Sequence, residues 1–180
     1  VGQFTSLVVD DDDETWISHS DWTNQELDFA ITTSSGWWNG MNISSDWASS
    51  SSIAVDSNGD PHVVYYDMME SAVKYAYPQN QTWSISTIME FQSTTMTAVS
   101  IDLDSIGLPH ISFGDTDNDN LRYATADGTG ADWEIDTVDT GQVGSFSSIV
   151  VDSNDNVHIS YLDYGNLDLK YANFDGTSWA

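Results

Sequence analysis

Residues Ser147–Trp179 read SSIVVDSNDNVHISYLDYGNLDLKYANFDGTSW, and the same unit recurs three more times along the chain. The other copies are SSIAVDSNGDPHVVYYDMMESAVKYAYPQNQTW (Ser51–Trp83), VSIDLDSIGLPHISFGDTDNDNLRYATADGTGADW (Val99–Trp133) and the fainter TSLVVDDDDETWISHSDWTNQELDFAITTSSGWW (Thr5–Trp38). An aromatic column recurs at spacings of 46, 48 and 48 residues, at Phe29, Tyr75, Tyr123 and Tyr171. A period of about 40 to 50 residues that carries several short strands is typical of β-propeller blades.

Within each copy, apolar and polar residues alternate at period two, which indicates strands rather than helices. Strand A is predicted at Ser6–Val9, Ser52–Val55, Thr97–Ile101 and Ser148–Val151. Strand B begins at Trp16, His62, His110 and His158, and ends at Asp21, Asp67, Asp115 and Asp163. Strand C holds the aromatic column, and strand D starts near Trp38, Trp83 and Trp133. Short turns rich in Asp, Asn and Gly join the strands.

The sequence therefore predicts an all-β chain built from four-stranded antiparallel blades. No linker divides residues 1–180, so we expect a single propeller domain, with blade 1 at about 1–44, blade 2 at about 45–92, blade 3 at about 93–140 and blade 4 at about 141–180. The outer strand of blade 4 is incomplete. Two accounts stay open: four blades of a propeller with about six to eight, or a compact four-bladed ring or a piece that self-association with a second copy completes.

The charge balance is extreme, with 29 acidic residues against three basic ones and a net charge of −26. Such a field repels nucleic acid and anionic lipid, and no apolar run approaches the roughly 20 residues of a membrane span, so we expect neither partner nor insertion. Three explanations remain: a solvated surface on an extracellular or cell-surface protein, bound calcium, or a cationic partner. The absence of cysteine excludes disulfides and thiolate metal sites.

Several segments carry a family resemblance: Val151–Asn154, His158–Asp163, Leu169–Ala172 and Asp175–Trp179. With their counterparts in the other copies, they resemble the bacterial and archaeal surface-protein repeats of the sialidase-like, Asp-box-type β-propeller group. Gly176 and Trp179 keep the spacing of the Asp-box, whereas Asp175 does not fall at its Asp position. The resemblance implies a propeller and leaves the activity open.

The three basic residues share one repeat slot, immediately before the aromatic column: Lys74, Arg122 and Lys170. We interpret the slot as structural, with each cation offsetting neighbouring acids. Sialidases of this fold class clamp the substrate carboxylate with three arginines, and Arg122 alone cannot form that clamp. The strand B histidines would likewise each bond within their own blade, and no catalytic residues are predicted.

The Asp at the end of strand B is predicted to accept backbone N–H bonds that hold the following turn. The segment Asp115–Asn120 additionally presents carboxylates at alternate positions, at Asp115, Asp117 and Asp119. Calcium prefers six to eight oxygen ligands of this kind. We predict either a calcium site here or a solvated acidic turn.

Aromatic residues that break the repeat are the candidates for ligand binding: Trp22, Trp47, Phe91 and Tyr164. They fall in B-to-C loops or D-to-A connections and are expected to emerge on one face. Flat rings suit the apolar faces of sugars, while nearby Asp, Asn and Gln bind hydroxyls. The alternative is packing between adjacent blades, the role we assign to Trp83, Trp133 and Trp179.

These observations favour a non-catalytic extracellular binding or adhesion module that recognises a glycan or a surface protein through the loop face of an acidic β-propeller. Two alternatives remain from other classes. One is part of a secreted glycan-active hydrolase or lyase, and the other is a purely structural repeat of a surface protein.

Overall fold

The computed structural model describes residues 2–32, 36, 38–95, 97–126 and 132–180. All regular elements in these ranges are strands: β1 (Gly2–Val9), β2 (Thr15–Asp21), β3 (Glu26–Thr32), β4 (Trp38–Ser44), β5 (Ala48–Val55), β6 (Pro61–Asp67), β7 (Ala72–Gln79), β8 (Thr82–Glu90), β9 (Val99–Leu103), β10 (Pro109–Asp115), β11 (Asn120–Ala126), β12 (Trp133–Thr140), β13 (Val143–Val151), β14 (Val157–Asp163) and β15 (Asp168–Phe174). The all-β prediction is therefore confirmed.

The strands form four sheets in which sequential neighbours pair antiparallel, as expected for propeller blades. Unit 1 (Val1–Glu90) contains blade 1 (β1–β4) and blade 2 (β5–β8), and unit 2 (Phe91–Ala180) contains blade 3 (β9–β12) and blade 4 (β13–β15). Blade 4 has three strands, and a single bridge between Phe174 and Trp179 stands at the position of the fourth. The B strands end where the sequence predicts, because a turn follows each terminal Asp.

In unit 1, the core lies between the two sheets. Strand β2 alternates buried and half-buried residues along its length, so that one face of blade 1 turns toward blade 2. The buried side chains that meet there are Trp16, Leu27, Phe29, Ile43, Ala48, Ile53, Val63, Tyr65 and Ala76. Burying each large side chain contributes about 1.5–3 kcal/mol, so the contact between the blades supplies much of this unit's stability.

Unit 2 repeats this arrangement, with Leu121 and Tyr123 of blade 3 packed against Val143 and Ile149 of blade 4. Backbone approaches backbone closely at Gly144, which has a φ of +90°. A Cβ on Gly144 would lie 2.7 Å from the Cα of Leu121. Only glycine therefore lets strand β13 pack this tightly against strand β11.

Two sets of aspartates hold the turns. After strand A, each accepts two backbone N–H bonds from the A-to-B turn: Asp10, Asp56, Asp104 and Asp152. At the end of strand B, each accepts at least one from the B-to-C turn: Asp21, Asp67, Asp115 and Asp163. The second set confirms the predicted turn role of these carboxylates.

Within the described ranges, no helix has the length and hydropathy of a membrane span.

Candidate functional site

Three blades repeat a polar relay of Asp, His and Tyr. In blade 3, the Nδ1 of His110 lies 2.6 Å from the hydroxyl of Tyr123 and its Nε2 lies 3.6 Å from a carboxylate oxygen of Asp104. The same bonds join His62 to Tyr75 in blade 2 and His158 to Tyr171 in blade 4. Each of these histidines is thus bonded within its own blade, as predicted.

In blades 2 and 3 burial favours the neutral form of the relay histidine, because it lowers the pKa of His62 and of His110. Burial also raises the pKa of Tyr123 to about 12, so its phenol keeps its proton and donates to Nδ1. Nε2 then carries the ring proton and faces the Asp carboxylate. Blade 1 replaces the relay by a stacked pair of Trp16 and Phe29, with ring centroids 5.7 Å apart.

Each basic residue is paired with acids, as the sequence predicts. Lys74 lies 2.7 Å from Asp67, 2.8 Å from Glu70 and 3.2 Å from Asp46. Arg122 binds Asp115 through both Nε and Nη2, at 2.9 and 2.7 Å. Lys170 binds Asp139. All three cations thus serve the ion pairs of the blades.

An open cleft of about 460 Å³ lies between blades 3 and 4 within unit 2. Its lining comes from both blades: Thr95, Thr97, Ala98, Gly114, Asp115, Thr116, Asp119, Gln142, Val143, Ser145, Phe146 and Tyr164. Three of these residues, Asp115, Asp119 and Tyr164, are among the candidates that the sequence singles out. A cleft of a few hundred Å³ is the size at which proteins hold small ligands.

Two exposed aromatic residues stand in the lining. Phe146 is 76% exposed and Tyr164 is 63% exposed. Phe146 sits at a bulge between Ser145 and Ser148, with a φ of +53°, which removes it from the regular alternation of strand β13. Tyr164 is held by its backbone N–H, which donates to the carbonyl oxygen of Gln142 at 2.8 Å.

Polar groups converge on the same cleft. The buried hydroxyl of Thr116 has no hydrogen-bond partner among the residues that the structure describes. Gln142 and Asp119 add exposed amide and carboxylate groups. Burial opposes ionisation of Asp115, but the hydrogen bonds and charge of Arg122, together with the hydrogen bonds from Asn118, outweigh it and lower the pKa of this carboxyl. The cleft thus combines flat apolar rings with hydrogen-bonding groups.

The corresponding place in unit 1 is occupied by indoles. Trp22 stands at the repeat position of Thr116, and Trp47 at that of Gln142. The two indoles meet edge to face, with centroids 5.2 Å apart, and Phe4 packs on Trp22 at 6.0 Å. Both indole N–H groups are buried without a partner among the described residues. Trp22 and Trp47 are therefore brought together, as half-buried packing between blades.

Phe91 is placed differently from the expected position on the rim. Its side chain is 7% exposed and packs edge to face on Phe113, with centroids 6.4 Å apart. Sequence reasoning missed Phe146, Gln142 and Thr116. Phe146 carried only a partial signal, because blades 2 and 3 have Ser50 and Ala98 at its position but blade 1 has Phe4.

The predicted calcium ligands have partners inside the protein. Asp115 binds Arg122, and Asp117 accepts the backbone N–H bonds of Gln92 and Ser93 at 2.7 and 2.8 Å. Asp119 lines the cleft. The structure does not bring the three carboxylates together, and no group of three His, Cys, Asp or Glu suited to a metal ion occurs among the described residues.

Neither a scan against protein-family models nor a search of curated proteins finds a match to this sequence. Solved structures do match. The SapL1 lectin, solved with alpha methyl fucoside, has a TM-score of 0.74 at 13% identity over 99% of this chain and 62% of the lectin. The NanB sialidase from Streptococcus pneumoniae has a TM-score of 0.62 at 15% identity over 88% of this chain and 27% of the sialidase. An α-L-arabinofuranosidase from Clostridium thermocellum has a TM-score of 0.62 at 13% identity over 98% of this chain and 70% of the enzyme.

At these identities the likeness shows the fold alone. The chain spans 62% of the length of the lectin and 27% of the sialidase. The sialidase among the neighbours supports the sialidase-like propeller that the repeats resemble. Both glycan-binding and glycan-cleaving proteins share the fold, so the distinction between binding and catalysis depends on the site.

Proposed function

We propose that this chain is a non-catalytic, extracellular binding module that recognises a glycan through the cleft between blades 3 and 4. The observation that carries the proposal is the cleft of about 460 Å³ with Phe146 and Tyr164 exposed in its lining. An exposed aromatic ring costs free energy in water and is normally buried. A sugar ring offers it a flat apolar face, and the adjacent polar groups bind the hydroxyls.

The hydroxyl of Thr116, which has no partner among the residues that the structure describes, supports a ligand with hydroxyl groups. A buried polar atom without a partner costs about 1–3 kcal/mol, which a bound hydroxyl or water recovers. Gln142 can both donate and accept, as neighbouring hydroxyls of a sugar require. Asp119 accepts only, and its charge disfavours anionic glycans at this end of the cleft.

A glycan-active hydrolase is the second candidate, because cleft carboxylates and glycosidase neighbours accompany the fold. Glycoside cleavage by a pair of carboxyls needs one with a raised pKa to protonate the leaving group. Asp115 has a lowered pKa and is held by Arg122, so it stays ionised near neutral pH. A binding module is therefore favoured over a hydrolase that uses Asp115 as its acid.

A glycan array, run with calcium and again with chelator, tests the proposal. Selective binding is expected, and we expect Tyr164→Ala to weaken it on the order of tenfold, equivalent to about 1.4 kcal/mol. Trp22→Ala is the matched control, because Trp22 occupies the Tyr164 position of blade 1. A blank array, or binding lost in Trp22→Ala and kept in Tyr164→Ala, would contradict the assignment to this cleft.

Thr116→Val tests the polar half of the cleft. Valine keeps the shape of threonine and removes the hydroxyl, which has no partner among the described residues. We therefore expect weaker glycan binding with unchanged or slightly greater stability toward urea. Equal affinity in the variant would remove Thr116 from the site while leaving the aromatic contacts in place.

Calcium remains a prediction for Asp115, Asp117 and Asp119. If the ion binds the folded chain, added calcium raises the melting temperature and chelator lowers it, by linkage to the folded state. A site in this loop would also make glycan binding depend on calcium, because Asp115 and Asp119 line the cleft. Identical melting curves with calcium and chelator would contradict the prediction.

A further inference from the structure

One sheet face of blade 4 is uncovered. It carries Leu169, Tyr171 and Val150, which are 82%, 59% and 54% exposed, together with exposed Ser148 and Ser160. Ser148, Ser160 and Tyr171 are direct cross-strand partners, so these residues share one face of the sheet. We call it the trailing face of blade 4.

The repeat shows what covers such a face. In blade 1 the residues at the positions of Leu169 and Tyr171 are Leu27 and Phe29, which are 0% and 6% exposed because blade 2 packs on them. In blade 3 they are Leu121 and Tyr123, which are 0% and 4% exposed under blade 4. In both units the cover is the strand A face of the next blade.

Both covered interfaces use the same polar contacts. The hydroxyls of Ser18 and Ser51 lie 3.0 Å apart between blades 1 and 2, and those of Ser112 and Ser147 lie 3.0 Å apart between blades 3 and 4. Ser160 is the counterpart of Ser18 and Ser112. Ser160 is exposed, so no neighbouring blade covers it in the way that blades 2 and 4 cover Ser18 and Ser112.

A hydrogen bond from a backbone N–H to a serine hydroxyl also repeats at each interface. The backbone N–H of Ile53 donates to the hydroxyl of Ser6 at 3.3 Å, and that of Ile149 donates to Ser100 at 3.2 Å. Ser148 is the counterpart of Ser6 and Ser100. The trailing face of blade 4 thus carries both serines of the interface and the apolar residues between them.

The complementary surface is also uncovered. Leu7 and Val9 of strand β1 are 58% and 53% exposed, whereas Ile53 and Ile149 at the Leu7 position are 5% and 7% exposed. Thr5 stands at the position of Ser51 and Ser147 and offers a hydroxyl to Ser160. We call Thr5, Leu7 and Val9 the leading face of blade 1.

We propose that the trailing face of blade 4 binds the leading face of blade 1 of a second copy of this chain. The contact reproduces the interface chemistry found twice in the structure, with Leu7 and Val9 packed over Leu169 and Tyr171 and with Thr5 bonded to Ser160. It is heterologous, because the two copies contribute different surfaces. The net charge of −26 opposes association, so the contact strengthens when salt screens the repulsion.

Sedimentation at rising protein and sodium chloride concentrations tests this. The wild-type chain is expected to exceed the mass of one copy. Leu169→Glu, which places a charge on the trailing face, is expected to weaken association at least tenfold. Ile106→Glu is the control, because Ile106 is 78% exposed in a turn of blade 3, outside both faces. A single-copy mass for the wild type under all conditions would overturn the proposal, as would equal weakening by both variants.

Complementation tests the head-to-tail geometry. Leu7→Glu damages only the leading face, so it should also be monomeric alone. A mixture of Leu7→Glu and Leu169→Glu retains one intact face on each partner and is expected to form a heterodimer. If Leu7→Glu associates as the wild type does, or if the mixture stays monomeric, the proposed pairing is wrong. Near-UV circular dichroism of each variant checks that it is folded.

Discussion

The bond between the phenol of Tyr123 and Nδ1 of His110 is repeated in three blades, but its surroundings differ. Tyr123 is 4% exposed, whereas Tyr171 in blade 4 is 59% exposed. A lost hydrogen bond costs most where water cannot replace it. The same chemical group therefore has different energetic consequences in different copies of the repeat.

This difference gives a matched pair of variants. Tyr123→Phe leaves a buried ring nitrogen without its donor, and we expect it to lower the free energy of unfolding by about 1–3 kcal/mol. Tyr171→Phe should cost a few tenths of a kcal/mol, since water can reach its partner. Urea unfolding of both variants measures the difference, and an equal loss from the two substitutions would show that burial does not set the contribution of this hydrogen bond.

The buried histidines also predict a pH dependence. Burial lowers the pKa of His62 below its unfolded value near 6.5, so the folded chain binds this proton less readily than the unfolded chain. The stabilising contribution is complete above pH 6.5 and is lost as the pH falls toward the folded pKa. The slope for one proton cannot exceed about 1.4 kcal/mol per pH unit.

Urea unfolding at pH 7.5 and 5.5 measures this linkage. The wild type is expected to lose stability on acidification, and His62→Gln to lose less over the same interval, because the variant has no ring to protonate. Carboxylates contribute little in this interval, since their ordinary pKa values lie near 4. Parallel losses in the two proteins would show that His62 does not carry the effect.

The strands show how far a repeat can be interpreted from sequence. The B strands were predicted to within a residue, because a period-two pattern begins at His or Trp and ends at a turn-forming Asp. Strand β13 begins five residues before its predicted start at Ser148, because Val143–Ser147 contains two bulges that break the alternation. The same bulges expose Phe146, so the cleft could not be predicted either.

Burial between blades also limits what can be predicted from the sequence. The sequence marks Trp22, Trp47 and Phe91 as departures from the repeat, and a departure alone does not separate a ligand contact from a packing contact. Trp22 and Trp47 meet across two blades, and Phe91 packs on Phe113. The exposed position of Tyr164 could be predicted, because the residue lies in a short loop whose position follows directly from the end of strand β14.

The approach of strand β13 to strand β11 gives a prediction for a single methyl group. Gly144→Ala places a Cβ 2.7 Å from the Cα of Leu121, so the strands must separate. Gly141→Ala is the control, because Gly141 has a similar φ of +94° and no atom within 4 Å of the added Cβ. Both variants pay roughly 1–2 kcal/mol for the left-handed backbone.

We expect Gly144→Ala to lose about 1–3 kcal/mol more than Gly141→Ala, because the first adds overpacking to backbone strain. Differential scanning calorimetry or urea unfolding measures the difference. Gly144→Ala is also expected to change the shape of the cleft between blades 3 and 4 more than Gly141→Ala does, since Val143 and Ser145 flank Gly144 and line this cleft. Equal destabilisation by the two variants would mean that the strands adjust without cost.

The charge of the whole chain acts on every blade. With 29 acids and three bases, most carboxylates have no cationic partner, and their mutual repulsion disfavours the compact state. The exceptions are local: Lys74 is 8% exposed and lies within 3.2 Å of three carboxylates. Buried pairs of this kind are screened much less by salt than exposed charges are.

Sodium chloride is therefore expected to stabilise the chain. The Debye length falls from about 10 Å at 0.1 M to about 3 Å at 1 M, which removes repulsion between exposed acids while sparing the buried pairs of Lys74. The midpoint of urea unfolding should rise across this range, and potassium chloride should act equally. Calcium chloride at matched ionic strength separates screening from binding, because a specific site adds stability beyond the sodium curve. A midpoint that stays constant or falls with sodium chloride would show that repulsion between the acidic residues does not destabilise the folded chain.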